Sequence, residues 1–353
     1  MDNDKTSSKV PEEFTKILQE KRDLQKRGIY INYVNPQIFQ GKKVWAIGNK
    51  LYAGRDVNET FHDFVSFVLE DTLGSSWVAS QQVLSQDNQH FIAKCFSEFS
   101  IWRKKLFDRN KSKNLPLIYA PANGYVQSLI SLGFDVATLR HVSNISDSVL
   151  HRLRIPSEYQ GARYEITIAG IFARLGFKIK WLENMEDGKT HCEFIATHGE
   201  TGTQIAVEAK SRHRKGVLHT DGLRDERSDY KGDIQGLLNR AFKKTEYGQV
   251  PFFIFIDINA PFKNDEDFQK IPWVKDILKK AKLSKMNSQD NLSIHNVIYF
   301  TNFSFHYQTD QEAAPTQVLM ASPQFVLHQI PNVILYKVIL NALKHYGDVP
   351  DIN

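Results

Sequence analysis

Apolar residues recur along the chain in different rhythms, and each rhythm predicts a different kind of element. In NETFHDFVSFVLEDTL (58–73), Phe61, Phe64, Val65, Val68 and Leu69 return every three or four positions, which predicts an amphipathic helix. The same period predicts a polar helix over 11–27, with Phe14, Ile17, Leu18 and Leu24 on one side, and helices over 90–107 and 232–245. A last helix over 331–347 would turn Ile334, Leu335, Val338, Ile339 and Leu343 inward. Short alternating runs broken at Asn35-Pro36, Gly41 and Gly48 predict strands within 29–54. Residues 115–142 read as strand, turn and helix, and 143–148 open a short helix ahead of a boundary at 154–156.

Past that boundary the pattern changes. GARYEITIAGIFARLGF (161–177) predicts a strongly apolar helix stopped by Gly176. Strands follow over 178–183, 191–197 and 203–212, with a turn at 184–189. After the helix at 232–245, VPFFIFIDINAP (250–261) is an almost unbroken apolar run, as expected of a central strand covered on both faces, and 296–307 offers another strand. The order is helix, three strands, helix, strand. It predicts a mixed α/β fold over 151–347, preceded by an accessory domain over 11–150 that is mostly helical or α/β. Polar ends at 1–10 and 348–353 read as tails.

Composition narrows the class. A chain of 353 residues that is 41% hydrophobic and 12% aromatic can bury substantial cores. A net charge of +5 permits a polyanionic partner without requiring one. Only Cys95 and Cys192 are present, which excludes a disulfide framework and a four-cysteine zinc site. The N-terminus lacks the apolar core of a signal peptide, and no run reaches the ~20 apolar residues of a membrane span. A cytoplasmic protein is expected.

The candidate chemistry lies in CEFIATHGETGTQIAVEAKSRHRKG (192–216). Alternation along IAVEAK puts Ala206, Glu208 and Lys210 on one face and Ile205, Val207 and Ala209 on the other. In the preceding strand Glu193 shares a face with Ile195, while Cys192, Phe194 and Ala196 share the opposite one. Pairing around the HGETG turn then sets Glu193 beside Glu208. Two such carboxylates repel unless a proton or a cation compensates. Lys210 supplies one positive charge, and a divalent cation would supply two. Glu165, with mostly apolar neighbours on the 161–177 helix, offers a third carboxylate, unless it serves only the positive end of that helix.

Gly161-x-x-x-Glu165 on a helix, then Glu193, then Glu208-x-Lys210 closing a hairpin, resembles the PD-(D/E)XK nuclease superfamily, the restriction-endonuclease-like fold. The resemblance covers about residues 156–260, and the chain departs from it by carrying Cys192-Glu193 where the family has Pro-Asp. It implies a Mg²⁺-dependent nuclease, with Mn²⁺ as a substitute, acting on DNA in host defence or repair. Glu193, Glu208 and the backbone carbonyl of Ala209 would hold the metal, and Glu165 would bind through water or at a second position. Lys210 would orient the attacking water, and Gln235 would position the lysine or a phosphate oxygen. Cutting both strands of a duplex makes a homodimer an expected assembly.

Around this set, Arg212, Arg214 and Lys215 directly follow the candidate strand and suit phosphate contacts. The basic segment 103–114 reads as a helix end and exposed loop, or as a phosphate-contacting loop. The lysines at 275, 279, 280, 282 and 285 read as a solvated face. His191, Cys192 and His198 match no common zinc spacing, and exposed loop histidines such as His213 and His219 rarely carry a specific role. The polar connection 215–233 reads as a mobile loop or a substrate-contacting flap. A rival reading keeps the nuclease-like fold as a catalytically inactive module that binds nucleic acid or protein. A third takes Glu208-x-Lys210 as accidental.

Overall fold

The computed structural model describes residues 12–33, 35–113, 120–182, 191–232, 234–244, 249–264, 267–283, 289–307 and 309–350. The predicted tail at 1–10, the turn at 184–189 and most of the strand expected after 114 lie outside them, as do Lys285 and the side chains of Phe14, Ile17, Leu18, Lys280 and Lys282.

In chain order, α1 (Glu12–Lys26) leads into a three-stranded antiparallel sheet of β1 (Gln37–Phe39), β2 (Lys42–Ile47) and β3 (Lys50–Ala53). Helices follow: α2 (Phe61–Leu73), α3 (Ser75–Gln82), α4 (Phe91–Lys113), α5 (Gly124–Val142), α6 (Asp147–Leu153) and α7 (Pro156–Arg174). Then come β4 (Phe177–Trp181), β5 (Phe194–His198), β6 (Gln204–Ser211), α8 (Glu226–Asp229), α9 (Gln235–Phe242) and β7 (Phe252–Asp257). The chain closes with α10 (Pro272–Leu283), β8 (Val297–Asn302), β9 (Gln317–Ala321) and α11 (Ile334–Lys344).

The larger sheet has the order β4-β5-β6-β7-β8-β9. Its ends are antiparallel, whereas β6, β7 and β8 run parallel. That arrangement explains the unbroken apolar run: every residue of β7 and β8 is buried, as parallel strands covered on both faces must be. On one face Val207, Ala209, Phe253 and Phe255 pack with Phe172 of α7. On the other, Ala206, Ile254 and Ile256 pack with Leu237 and Ala241 of α9 and Trp273 and Ile277 of α10. The protein is therefore a mixed α/β fold, with helices on both faces of the sheet.

The apolar cluster on the α7 face continues without a break into the N-terminal half, from Trp45 and Phe64 through Leu129 to Tyr346. Helix α5 is the shared element. It is buried along most of its length and packs against both α2 and α7. Gly133 permits the closest approach, because a methyl there would lie 2.6 Å from the Val65 carbonyl oxygen. Inside this interface Asp135 accepts hydrogen bonds from Arg174 (2.7 Å) and Tyr346 (2.9 Å), tying α5 to α7 and α11.

Several expectations change. Helix α4 runs through Lys113, so residues 103–113 are helical rather than a loop, and Arg103 pairs with Asp63. Helix α7 starts at Pro156, whose missing N–H costs nothing at the first helical position, so 154–156 is only the turn between α6 and α7. The strand expected over 296–307 ends at Asn302 and gives way to a short 3₁₀ turn at Ser304–His306. Neither α3 nor β9 was anticipated. Ile334 is 60% exposed, because α11 buries Ile339, Ala342 and Leu343 instead. Part of the expected C-terminal tail is anchored: His62 meets the Val349 carbonyl at 3.3 Å. No helix among the described residues is long and apolar enough to cross a membrane.

Candidate active site

The β5–β6 pairing brings the predicted carboxylates together, with one change of phase. Phe194 pairs with Val207, yet the Glu193 N–H also donates to the Val207 carbonyl at 3.0 Å. Two residues thus oppose one, as in a bulge, and strict alternation stops where β5 begins. Cys192 packs in the same cluster as Ile195, against the expected assignment to the Phe194 face. The offset leaves Glu193 at the strand entrance, where its carboxylate reaches Lys210.

Lys210 is the hub. Its Nζ lies 2.5 Å from Glu193 Oε1 and 2.6 Å from Glu208 Oε1. Burial works against its charge, but the two carboxylates outweigh it and hold the lysine above its ordinary range. Glu208 has no exposed surface, and apart from that ammonium its carboxylate oxygens have no hydrogen-bond partner among the described residues. Burial first, and the Glu193 charge second, raise Glu208 from 4.5 to about 8, against the opposing pull of Lys210 and Lys244.

Glu165 joins from α7. Burial and the charge of Glu193 raise it from 4.5 to about 7. Its partner is Arg152 of α6, which donates Nη1 to Oε1 (3.0 Å) and Nη2 to Oε2 (2.6 Å) in a two-pronged pair. The four residues Glu165, Glu193, Glu208 and Lys210, from one helix and two strands, thus form one electrostatic cluster.

A polar network backs the same strand end. Ser211 donates to Asp257 Oδ2 at 2.8 Å, Tyr307 donates to the same oxygen, and Arg163 stands 3.8 Å from it. Gln160 of α7 donates to Ser211 Oγ at 2.9 Å and to the Arg212 carbonyl at 2.6 Å. These bonds fix the backbone just past Lys210.

The basic stretch divides. Arg214 is buried, with Nη1 2.7 Å from Asp229 and Nε donating to Asn259 at 3.0 Å, so in this conformation it is an internal tie and not a phosphate contact. Arg212 spends two donors on the Ser228 and Asp229 carbonyls (2.9 and 3.2 Å). Lys215 is exposed. All three line a cleft of about 890 Å³ between the end of β6, the 223–231 segment and α9, where exposed Lys231 and Arg240 add positive charge. The 215–232 connection is therefore pinned by Arg212 and Arg214. His219 anchors it further by accepting the Phe91 N–H at 3.3 Å.

Gln235 does not join the cluster. It is exposed and hydrogen-bonds Asn239 one turn along α9. The charge from this region that acts on Glu208 is that of half-buried Lys244, two residues past the end of α9. Lys275 and Lys279 lie on the exposed side of α10. His191 and Cys192 precede β5 whereas His198 closes its far end, hydrogen-bonded to Thr201, so the extended strand keeps the three apart.

Sequence reasoning missed Arg152, Gln160 and Asp257, and it reads Arg240, Lys243 and Lys244 as a solvated face, whereas Lys244 is half-buried and acts on Glu208. Only Asp257 left a local signal, as the one charge in VPFFIFIDINAP.

Among the described residues, no group of three or more His, Cys, Asp or Glu side chains is arranged to hold a metal ion. Lys210 occupies the space between the Glu193 and Glu208 carboxylates. Even so, the buried, under-bonded carboxylate of Glu208 beside a second carboxylate suits a divalent cation chemically. No family model, curated protein or solved structure matches the chain.

Proposed function

We propose that the protein is a divalent-cation-dependent nuclease of the PD-(D/E)XK type, hydrolysing phosphodiester bonds in DNA in the cytoplasm. The observation that carries this reading is the Lys210 ammonium between Glu193 and Glu208, with Glu165 within electrostatic reach. The strand order, an antiparallel hairpin followed by a parallel crossover from β6 to β7, agrees with the resemblance drawn from sequence.

Glu193 and Glu208 would hold Mg²⁺ or Mn²⁺, with the Ala209 carbonyl as a third ligand. The Val207 carbonyl points toward β5, where it accepts the Glu193 N–H, and the period of a strand directs the Ala209 carbonyl to that same edge. When bound, such a cation lowers the pKa of a water and neutralises charge on a phosphoryl oxygen. Lys210 would then give up one carboxylate, orient the water and donate to the phosphate oxygen that gains charge. The Ser211–Asp257–Tyr307 network holds Lys210's backbone in place during that exchange. The cleft bearing Lys215, Lys231 and Arg240 would carry the flanking phosphates.

Incubation with plasmid, linear duplex and single-stranded DNA, with Mg²⁺ or Mn²⁺, tests the reading. Cation-dependent breakage is expected, and breakage retained in Lys210→Ala would remove the lysine from the chemistry. One observation favours a second reading, a catalytically silent nucleic-acid-binding module: Lys210 already pairs with both carboxylates. Calorimetric titration separates the two, since the silent module would bind DNA but not millimolar Mg²⁺.

A further inference from the structure

Arg152 lies on a different helix from every residue singled out by sequence, yet it makes the best-formed ion pair in the cluster. Its side chain is 24% exposed, while that of Glu165 is 7% exposed. One end of the pair therefore faces solvent and the other faces the site. Arg152 also lies within electrostatic reach of Glu193. A guanidinium presents the same two-pronged geometry to a phosphate as to a carboxylate, so a phosphodiester arriving from solvent can compete for it directly.

That competition would leave Glu165 buried, beside Glu193, and without its counter-charge. A second cation is the natural replacement. Resting on the nuclease reading above, we propose that Arg152 is a positioning residue that exchanges between Glu165 and a substrate phosphate, so that polyanion and divalent cation bind with positive coupling. At rest the site is closed on itself, with Lys210 on Glu193 and Glu208, and Arg152 on Glu165. Polyanion binding opens it. By linkage the effect is mutual: whatever the polyanion does for the cation, the cation does for the polyanion.

The test is calorimetric and needs no turnover. Mn²⁺ is titrated into the full chain, alone and saturated with a phosphorothioate duplex, with the heat of Mn²⁺ binding to the duplex subtracted. The wild-type protein is expected to bind Mn²⁺ about tenfold tighter with duplex present, within the ~5–150-fold range of coupled sites. Arg152→Gln is expected to bind Mn²⁺ more tightly than wild type without duplex and to lose most of the coupling. Arg152→Lys, which keeps the charge but not the fork, should retain only part of it. Unchanged Mn²⁺ affinity and coupling in Arg152→Gln would overturn the proposal. If that variant does not fold by circular dichroism, undiminished coupling in Arg152→Lys would do the same. Wild-type protein that binds duplex and Mn²⁺ independently removes the coupling but leaves the nuclease reading standing. Failure to bind duplex at all removes both.

Discussion

Two neighbouring basic residues show how burial separates roles that look alike in sequence. Arg214 and Lys215 stand side by side after β6, but Arg214 is closed into the fold against Asp229 and Asn259, while Lys215 faces solvent. Removing Arg214 strands a buried carboxylate. Arg214→Ala is therefore expected to destabilise the protein by about 3–5 kcal/mol in urea melts. Lys215→Ala should stay within about 0.5 kcal/mol of wild type. Equal, small effects from both would show that the Arg214–Asp229 tie carries no stability. The same logic explains why Gln235 stands apart from the cluster: it faces solvent on α9, while Leu237 and Ala241 of that helix pack inward with Trp273 and Ile277 of α10, a phase that depends on tertiary packing.

At the scale of elements, the periodic signals proved the most informative. The helical rhythm of 58–73 became α2, with Thr60 and Asp63 closing a capping box at its start. The unbroken run at 250–261 became the central strand β7. Glu193, Glu208 and Lys210 were legible because strand alternation fixes neighbours two residues apart and a hairpin fixes neighbours across the turn. The Glu193 bulge was not, since it arises from a single backbone bond to Val207. Arg152 was not, since its contact with Glu165 depends on the angle between α6 and α7. β9 was missed because QVLMA carries little of the alternation that marks a half-buried strand. Helix packing also makes a paired prediction. Gly133→Ala pushes α5 off α2 and should cost about 1–3 kcal/mol, because the methyl meets the Val65 backbone. Gly161→Ala on α7 meets nothing within 4 Å and should add about 0.5–1 kcal/mol. Thermal melts of the two variants should move in opposite directions; a gain from Gly133→Ala would refute the close approach.

Across the whole molecule, one apolar core joins the N-terminal helices to the face of the sheet that carries α7, and Asp135 sits inside it as an ionisable tie. Burial raises Asp135 from 3.8 to about 6, against the opposing charge of Arg174. A carboxyl whose folded pKa is raised contributes stability that is complete below about 3.8 and is lost as pH climbs through about 6. In urea titrations between pH 4 and 7, the stability advantage of wild type over Asp135→Asn should therefore shrink as pH rises, by at most about 3 kcal/mol. A pH-independent difference between the two would contradict a native state that disfavours the ionised form. This tie also couples the N-terminal helices to α7, the helix that carries Glu165.

The central claim is that Glu208 and its neighbours form a cation-dependent phosphodiesterase site. Conversion of supercoiled plasmid to nicked or linear forms tests it most directly, comparing wild type with Glu208→Gln in Mg²⁺ and in a chelator. The account predicts conversion by wild type in Mg²⁺, none in chelator, and a loss of about 10²-fold or more in Glu208→Gln. Equal conversion by both proteins, or no conversion by wild type in either Mg²⁺ or Mn²⁺, would contradict it.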